Sequence, residues 1–216
     1  YVFDEAHTLP IFVKKLVSGS PDMPLIKVTI PEGSTIHDVA VLVNSVLPTI
    51  DVNIFEWEAK RVKADGKLFP STYFLLPSMT TLKIIDKMTR TFEKKYLETF
   101  DSVEAPKELK SEIEIISLAA ILEGEAKTEE DMKIVAGILL KRLRLGMLLQ
   151  VDVASETYKV KGLPKVPINN PGLVALNAVF HSIDTPYLYY ITGKDGTMHY
   201  SKTFEEHKTN IRKYLK

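Results

Sequence analysis

The stretch SLAAILEGEAKTEEDMKIVAGILLKRLRLGMLLQ, residues 117–150, predicts two consecutive helices at the centre of the C-terminal half. The first helix is apolar almost all round, which is typical of a helix buried on every side. This apolar run ends at Glu123-Gly124-Glu125. Because residues three and four apart share a helix face, Glu125 stands on the same face as Ile121 and Leu122.

Glu125 is therefore the carboxylate that this pattern singles out. Thr128, with Asp131 three residues later, predicts the N-terminus of the second helix, so Glu125 lies in the last turn of the first helix. The negative end of the helix macrodipole and partial burial both disfavour an ionised carboxylate there, which raises its pKa. A carboxyl group with a raised pKa suits a general acid.

There are two structural alternatives to a general-acid role for Glu125. Glu125 could form an ion pair with Lys127, Arg142 or Arg144, or it could face solvent at a frayed helix end. The neighbouring Glu123 projects about 160° away from Glu125 on a helix, so these two carboxylates do not form a facing pair.

Composition excludes several classes of protein. The chain has 216 residues, with 28 Lys and Arg against 28 Asp and Glu, and this balance gives no electrostatic footprint for nucleic acid. The absence of cysteine excludes a disulfide framework and a thiolate site. The five histidines are scattered without ligand spacing, so we expect neither a metal nor a cofactor. Motifs of serine hydrolases, P-loop enzymes and zincins do not occur.

Secondary structure divides the chain into two halves of α+β class. The N-terminal half predicts a strand, helices and a second strand-like segment, and polar residues 101–110 predict a hinge before the second half. In the second half, Asn170-Pro171-Gly172 predicts a helix start with Asn170 as the cap. The predicted segments are a strand or helix at 11–17, strand 25–30, helices 35–47, 51–62 and 82–96, strand 68–77, hairpin 187–201, and a final helix capped by Thr203.

Polar residues follow the central helices directly. Gln150 and Asp152 are separated by one residue in an extended stretch, so both side chains can point the same way and line a polar cleft with Glu125. The alternative is an ordinary loop with turn hydrogen bonds. Four tyrosines further along could stack on sugar rings, while alternate ones lie in the core: Tyr187, Tyr189, Tyr190 and Tyr200.

Several segments together resemble the YceG-like family of endolytic murein transglycosylases. They are LAAILEGEA at 118–126, VAGILLKRLRLGMLLQVD at 135–152, KGLPKVPINNPGLVALNA at 161–178 and TPYLYYITGKDGTMHYSKTFEEH at 185–207. IPEGSTIHDVA at 30–40 and GKLFPSTY at 66–73 more weakly resemble the family's smaller, LysM-like domain. The resemblance implies a 1–105 region with a small LysM-like α/β domain at about 25–100, followed by a larger α+β catalytic domain at 106–216.

The resemblance also implies roles for individual residues. The second Glu of the family's E-x-E motif is the catalytic acid, which falls on Glu125 here. The family's Q-T-D-P segment matches residues 150–153, where Gln150 and Asp152 are retained and Thr and Pro are not. Family members carry an extended loop before a Y-N-T-Y motif, whereas here only Thr157-Tyr158 follows, almost at once. A missing loop could open the cleft, alter glycan length preference or signal lost activity.

A lytic transglycosylase acting on peptidoglycan glycan strands is the leading interpretation. Glu125 is the expected acid, and Gln150, Asp152, Asn170 and Tyr158 are expected to bind substrate. The alternatives are an inactive peptidoglycan-binding or scaffolding module of the same fold, and an inverting hydrolase with Asp152 as the second carboxylate. The resemblance further implies cell-wall synthesis proteins as partners and a location on the extracytoplasmic face of the inner membrane. The membrane anchor is expected in a segment before Tyr1, because no apolar run here reaches the ~20 residues that span a bilayer.

Overall fold

The structure, a computed structural model, describes residues 25–215, and the element expected at 11–17 lies outside this range. Within it the chain is α+β, as predicted, with the elements in the following order. They are β1 (Ile26–Thr29), α1 (Ile36–Val46), α2 (Val52–Arg61), β2 (Thr72–Leu75), α3 (Thr81–Phe100), α4 (Glu112–Glu125), α5 (Glu129–Arg144), a 3₁₀ turn (Ser155–Tyr158), α6 (Leu173–Phe180), β3 (Tyr189–Thr192), β4 (Met198–Ser201) and α7 (Phe204–Tyr214).

The first core belongs to a small α/β unit. Strands β1 and β2 pair antiparallel, with Ile26 opposite Leu75 and Thr29 opposite Thr72. Helix α1 begins at a capping box in which Thr35 and Asp38 satisfy each other's backbone amides. Apolar residues from both strands, α1, α2 and the first half of α3 fill this core, and its largest side chains include Phe55, Leu68, Leu75, Ile84, Ile85 and Met88.

The second core surrounds helix α4. Every residue from Ile115 to Leu122 is buried, as expected for a helix that is apolar almost all round. Helices α5 and α6 pack against it, and the β3–β4 hairpin pairs Tyr189 with Ser201 and Thr192 with Met198. Helix α7 lies across both hairpin strands, and its Thr203 cap is confirmed by the bond from the Glu206 amide. These elements surround the C-terminal end of α4.

Helix α3 contributes to both cores. Ile84 and Met88 in its first half lie in the first core, whereas Phe92 and Phe100 in its second half lie in the second. The predicted division at residue 105 therefore follows a helix that is packed on both sides. That division stays a prediction.

Helix α6 begins later than the sequence indicates. Its cap is Gly172, and Asn170 does not cap the helix because its side chain is bonded elsewhere. Within residues 25–215 no helix has both the length and the apolar composition that crossing a bilayer requires.

Candidate active site

Glu125 is the last residue of α4, at the position that the sequence predicts. Thr128 caps the following helix by accepting a bond from the Asp131 amide at 3.1 Å, so the two helices are separated by a short turn. The carboxylate thus lies at the negative end of a helix dipole.

The Glu125 side chain has two hydrogen-bond donors. The Val153 amide donates to Oε1 at 3.4 Å, and the Tyr190 hydroxyl donates to Oε2 at 3.2 Å. Burial raises the pKa of Glu125 above its ordinary value, and these two donors oppose the rise because they favour the ionised form. The nearby Asp152 carboxylate adds to the rise. The group is therefore suited to hold a proton and release it.

A cleft of about 470 Å³ opens in front of Glu125. It brings together four of the five residues that the sequence nominated, and a larger hollow of about 760 Å³ beside it contains neither Glu125 nor Asp152. The cleft is lined by Glu125, Arg142, Gln150, Asp152, Tyr158, Tyr189, Tyr190, Ile191, Thr192, Phe204, His207 and Leu215.

The segment from Gln150 to Tyr158 forms one wall of the cleft. Gln150 has a φ of 51°, a left-handed conformation that is uncommon outside glycine, and its amide donates to the Thr157 carbonyl at 3.2 Å. The buried Thr157 hydroxyl accepts from the Val151 amide at 3.0 Å. These bonds hold the short loop in place.

Tyr158 and Asp152 are paired across this loop. The Tyr158 hydroxyl donates to Asp152 Oδ1 at 2.5 Å, and this bond raises the pKa of Tyr158 to about 12. Asp152 is thereby held at the cleft as a hydrogen-bonded carboxylate.

Asn170 lies outside the cleft, although the sequence nominated it for substrate binding. It is 1% exposed, and its side chain accepts from the Leu68 amide and donates to the Ser34 carbonyl, both at 2.8 Å. Its backbone amide and carbonyl bond Ser34 and Gly33. All these partners belong to the small α/β unit, so Asn170 joins the two cores.

Glu123, the rival carboxylate, points toward the same junction. Its Oε2 accepts from the Gly172 amide at 2.9 Å, and burial raises its pKa. Glu123 does not line the cleft. The expected separation of Glu123 from Glu125 is therefore confirmed.

Tyr190 and Arg142 have roles at the site that differ from those the sequence suggested, which were sugar stacking for Tyr190 and an ion pair with Glu125 for Arg142. Tyr190 contacts the candidate acid directly, and burial raises its pKa well above the ordinary value. Arg142 does not pair with Glu125; it is 5% exposed and bonded to backbone carbonyls. A signal for Arg142 existed, since it follows Val135 and Leu139 on the buried stripe of α5.

No group of three or more His, Asp or Glu side chains within residues 25–215 is arranged to hold a metal ion.

Comparisons with known proteins agree on one family. The YceG-like family matches residues 1–156 and 154–213. The chain is 25% identical to the endolytic murein transglycosylase of Bacillus subtilis (strain 168), over all of this chain and 72% of that protein. It is 24% identical to that of Streptococcus pneumoniae serotype 2 (strain D39 / NCTC 7466), over 94% of this chain.

The chain spans about half of the length of the pneumococcal protein, 48%. A crystal structure of a YceG-like protein from Listeria monocytogenes has the same fold, with a TM-score of 0.73 and 24% identity. The match covers 93% of this chain and 80% of that one. Since the family matches nearly the whole sequence, this chain belongs to the YceG-like family.

Proposed function

We propose that this chain is an endolytic lytic transglycosylase, which cleaves peptidoglycan glycan strands and leaves 1,6-anhydro-N-acetylmuramic acid ends. The observation that carries the proposal is the half-buried Glu125, with a raised pKa, in the lining of a polar and aromatic cleft. The murein transglycosylases that are similar over nearly the whole chain support the same substrate and reaction.

In the proposed reaction, protonated Glu125 donates its proton to the glycosidic oxygen as the bond from C1 breaks, through an oxocarbenium-like state. The C6 hydroxyl of the same sugar then bonds to C1, and its proton returns to the Glu125 carboxylate. One carboxylate completes the cycle because the nucleophile belongs to the substrate. Tyr190 holds the carboxylate in place through its hydroxyl.

The other walls of the cleft bind the strand. Gln150, Asp152 and Tyr158 are the proposed polar contacts, since all three line the cleft with Glu125. Asn170 is left out of this set because its polar groups are used at the junction.

An inverting hydrolase is a second candidate, because Asp152 lies in the same cleft as Glu125 and could activate water. The Tyr158 hydroxyl already donates to Asp152 Oδ1, so this oxygen is engaged and not free to accept a proton from water. An inactive binding module is a third, favoured by the short loop between Asp152 and Thr157.

Mass spectrometry of products from purified glycan strands separates these candidates. We expect anhydro ends, whereas reducing ends would indicate hydrolysis and intact strands would indicate a binding module. Glu125→Gln should lower turnover by about 10²–10⁴-fold, the typical contribution of a general acid. Glu123→Gln is the matched control, because it changes a carboxylate two residues away that points to Gly172 and not to the cleft. Equal turnover of parent and Glu125→Gln would contradict the assignment.

The location of the chain, its protein partners and the identity of its small unit are part of the same proposal. Action on peptidoglycan takes place outside the cytoplasm, and anchoring to the inner membrane and binding of cell-wall synthesis proteins stay predictions. The small α/β unit is proposed to be the LysM-like domain, with its two strands and two helices supporting that interpretation.

A further inference from the structure

Arg142 is a buried cation in the wall of the cleft. It lies in the last turn of α5, where its Nε donates to the Leu188 carbonyl at 2.8 Å and its Nη1 donates to the Leu149 carbonyl at 2.6 Å. These bonds fix the guanidinium between the loop that carries Gln150 and the strand that carries Tyr190. The guanidinium is therefore rigidly held.

This cation has no anionic partner within residues 25–215. Its bonds there are to backbone carbonyls, and its Nη2 group makes none with the described residues. The two acids of the cleft are engaged elsewhere, Asp152 by Tyr158 and Glu125 by Tyr190. Although burial lowers the pKa of Arg142, a guanidinium keeps its proton at neutral pH. An unpaired buried charge is costly, and an anion that enters the cleft removes that cost.

The side chains next to Arg142 in the cleft wall are aromatic. The guanidinium lies 5.0 Å from the centre of the Tyr189 ring, and His207 stacks on the same ring at 5.3 Å. Burial, and secondarily the charge of Arg142, lower the pKa of His207, so the imidazole is a neutral partner. The Nδ1 atom of His207 is buried and has no partner among the described residues.

We propose that Arg142 binds a carboxylate group of the glycan substrate, an inference that rests on the proposed function. Peptidoglycan offers this group from two sources. A muramic acid without a peptide carries a free lactyl carboxylate, whereas a muramic acid with a peptide has an amide there and carries its carboxylates on the peptide. Arginine suits either group, since its planar fork matches a carboxylate.

Binding measurements on the 216-residue chain test this inference without turnover. Three proteins are compared. The first carries Glu125→Gln alone, the second adds Arg142→Met to it, and the third adds Arg144→Met to it. Arg144 is the matched control because it lies on the same helix and pairs with Glu108, outside the cleft. The ligands are a peptide-free and a peptide-bearing tetrasaccharide of the peptidoglycan repeat, each compared by calorimetry with its methylamide, in which the carboxylates are neutral.

We expect Glu125→Gln to bind one of the two charged ligands roughly tenfold or more tightly than its methylamide, as for hydrogen bonds to charged groups. The ligand that shows this preference identifies the source, lactyl or peptide. Adding Arg142→Met should abolish the preference, and adding Arg144→Met should leave it intact.

Three results would overturn the inference. The first is equal binding of the charged and neutral ligands by Glu125→Gln, and the second is a preference for the charged ligand that survives Arg142→Met. The third is a loss of affinity on adding Arg142→Met that is equal for the charged ligand and its methylamide, which indicates a structural role alone. If Arg142→Met does not fold, Arg142→Gln, which also removes the charge, replaces it, and the same three results apply. Absence of anhydro products from the parent chain contradicts the proposed reaction instead.

Discussion

Replacing Asn170 by alanine tests whether this residue joins the two cores or contacts substrate. The substitution removes two hydrogen bonds of 2.8 Å, from the buried Leu68 amide and to the Ser34 carbonyl, each worth about 1 kcal/mol net. The Leu68 amide is then left unsatisfied, which adds about 1–2 kcal/mol, whereas the Ser34 carbonyl keeps its bond from the Asn170 amide. We expect the free energy of unfolding to fall by about 3–4 kcal/mol in total.

Urea denaturation measures this loss, with Asn169→Ala as the matched control. Asn169 donates one bond, to the Ala120 carbonyl at 2.9 Å, and its Oδ1 is buried without a partner in the described structure, so its removal should cost about 1 kcal/mol or less. At a temperature where all variants are folded, kcat/KM on glycan strands should match the parent. A folded Asn170→Ala variant with parental stability and reduced kcat/KM would refute this reasoning and return Asn170 to the substrate site.

Three further predictions concern Glu125, its partner Tyr190, and the close packing of Gly66 against α4. Because the pKa of Glu125 in the folded chain lies above the ordinary 4.5, the folded state binds more protons than the unfolded state between these two values. The free energy of unfolding therefore falls as pH rises from 4.5 to the raised pKa. Glu125→Gln should therefore unfold at a higher denaturant concentration than the parent at neutral pH, and the difference should disappear below pH 4.5. Tyr190→Phe removes a donor that favours the ionised carboxylate, so the pKa of Glu125 should rise further. In a pH–rate profile, the pH at which kcat declines on the alkaline side should therefore move upward. Gly66→Ala should lower the free energy of unfolding by about 2–4 kcal/mol in denaturant titrations, because Gly66 has a φ of 72° and an added Cβ would meet Ile116 at 2.5 Å and Pro167 at 2.8 Å.

Features that depend on nearby residues could be predicted from the sequence. The apolar run of α4, its end at Glu125 and the Thr128 cap all follow from spacings of three and four residues. The hairpin and the Thr203 cap follow from equally local patterns. The sequence placed Gln150 and Asp152 in one cleft with Glu125, and they do line it. The extended conformation expected for this stretch was wrong at Gln150, which is left-handed.

Features that depend on distant residues could not be predicted in the same way. Asn170 bonds Leu68 and Ser34, which lie 102 and 136 residues away in sequence, so no local pattern indicates its partners. Arg142 looked like one cation among several at the end of α5, and its burial depends on the carbonyl of Leu188, 46 residues later. Tyr190 lies between Tyr189 and Ile191, and all three are half-buried, so alternation does not show which side chain reaches Glu125.

The placement of α3 in both cores limits how related chains can be recombined. A chimera that takes its first 105 residues from one homologue and the remainder from another would place foreign side chains at the positions of Phe92 and Phe100. Those rings belong to the core that surrounds α4, on which the orientation of Glu125 depends. Successful grafts should therefore transfer the second half of α3 together with the larger unit.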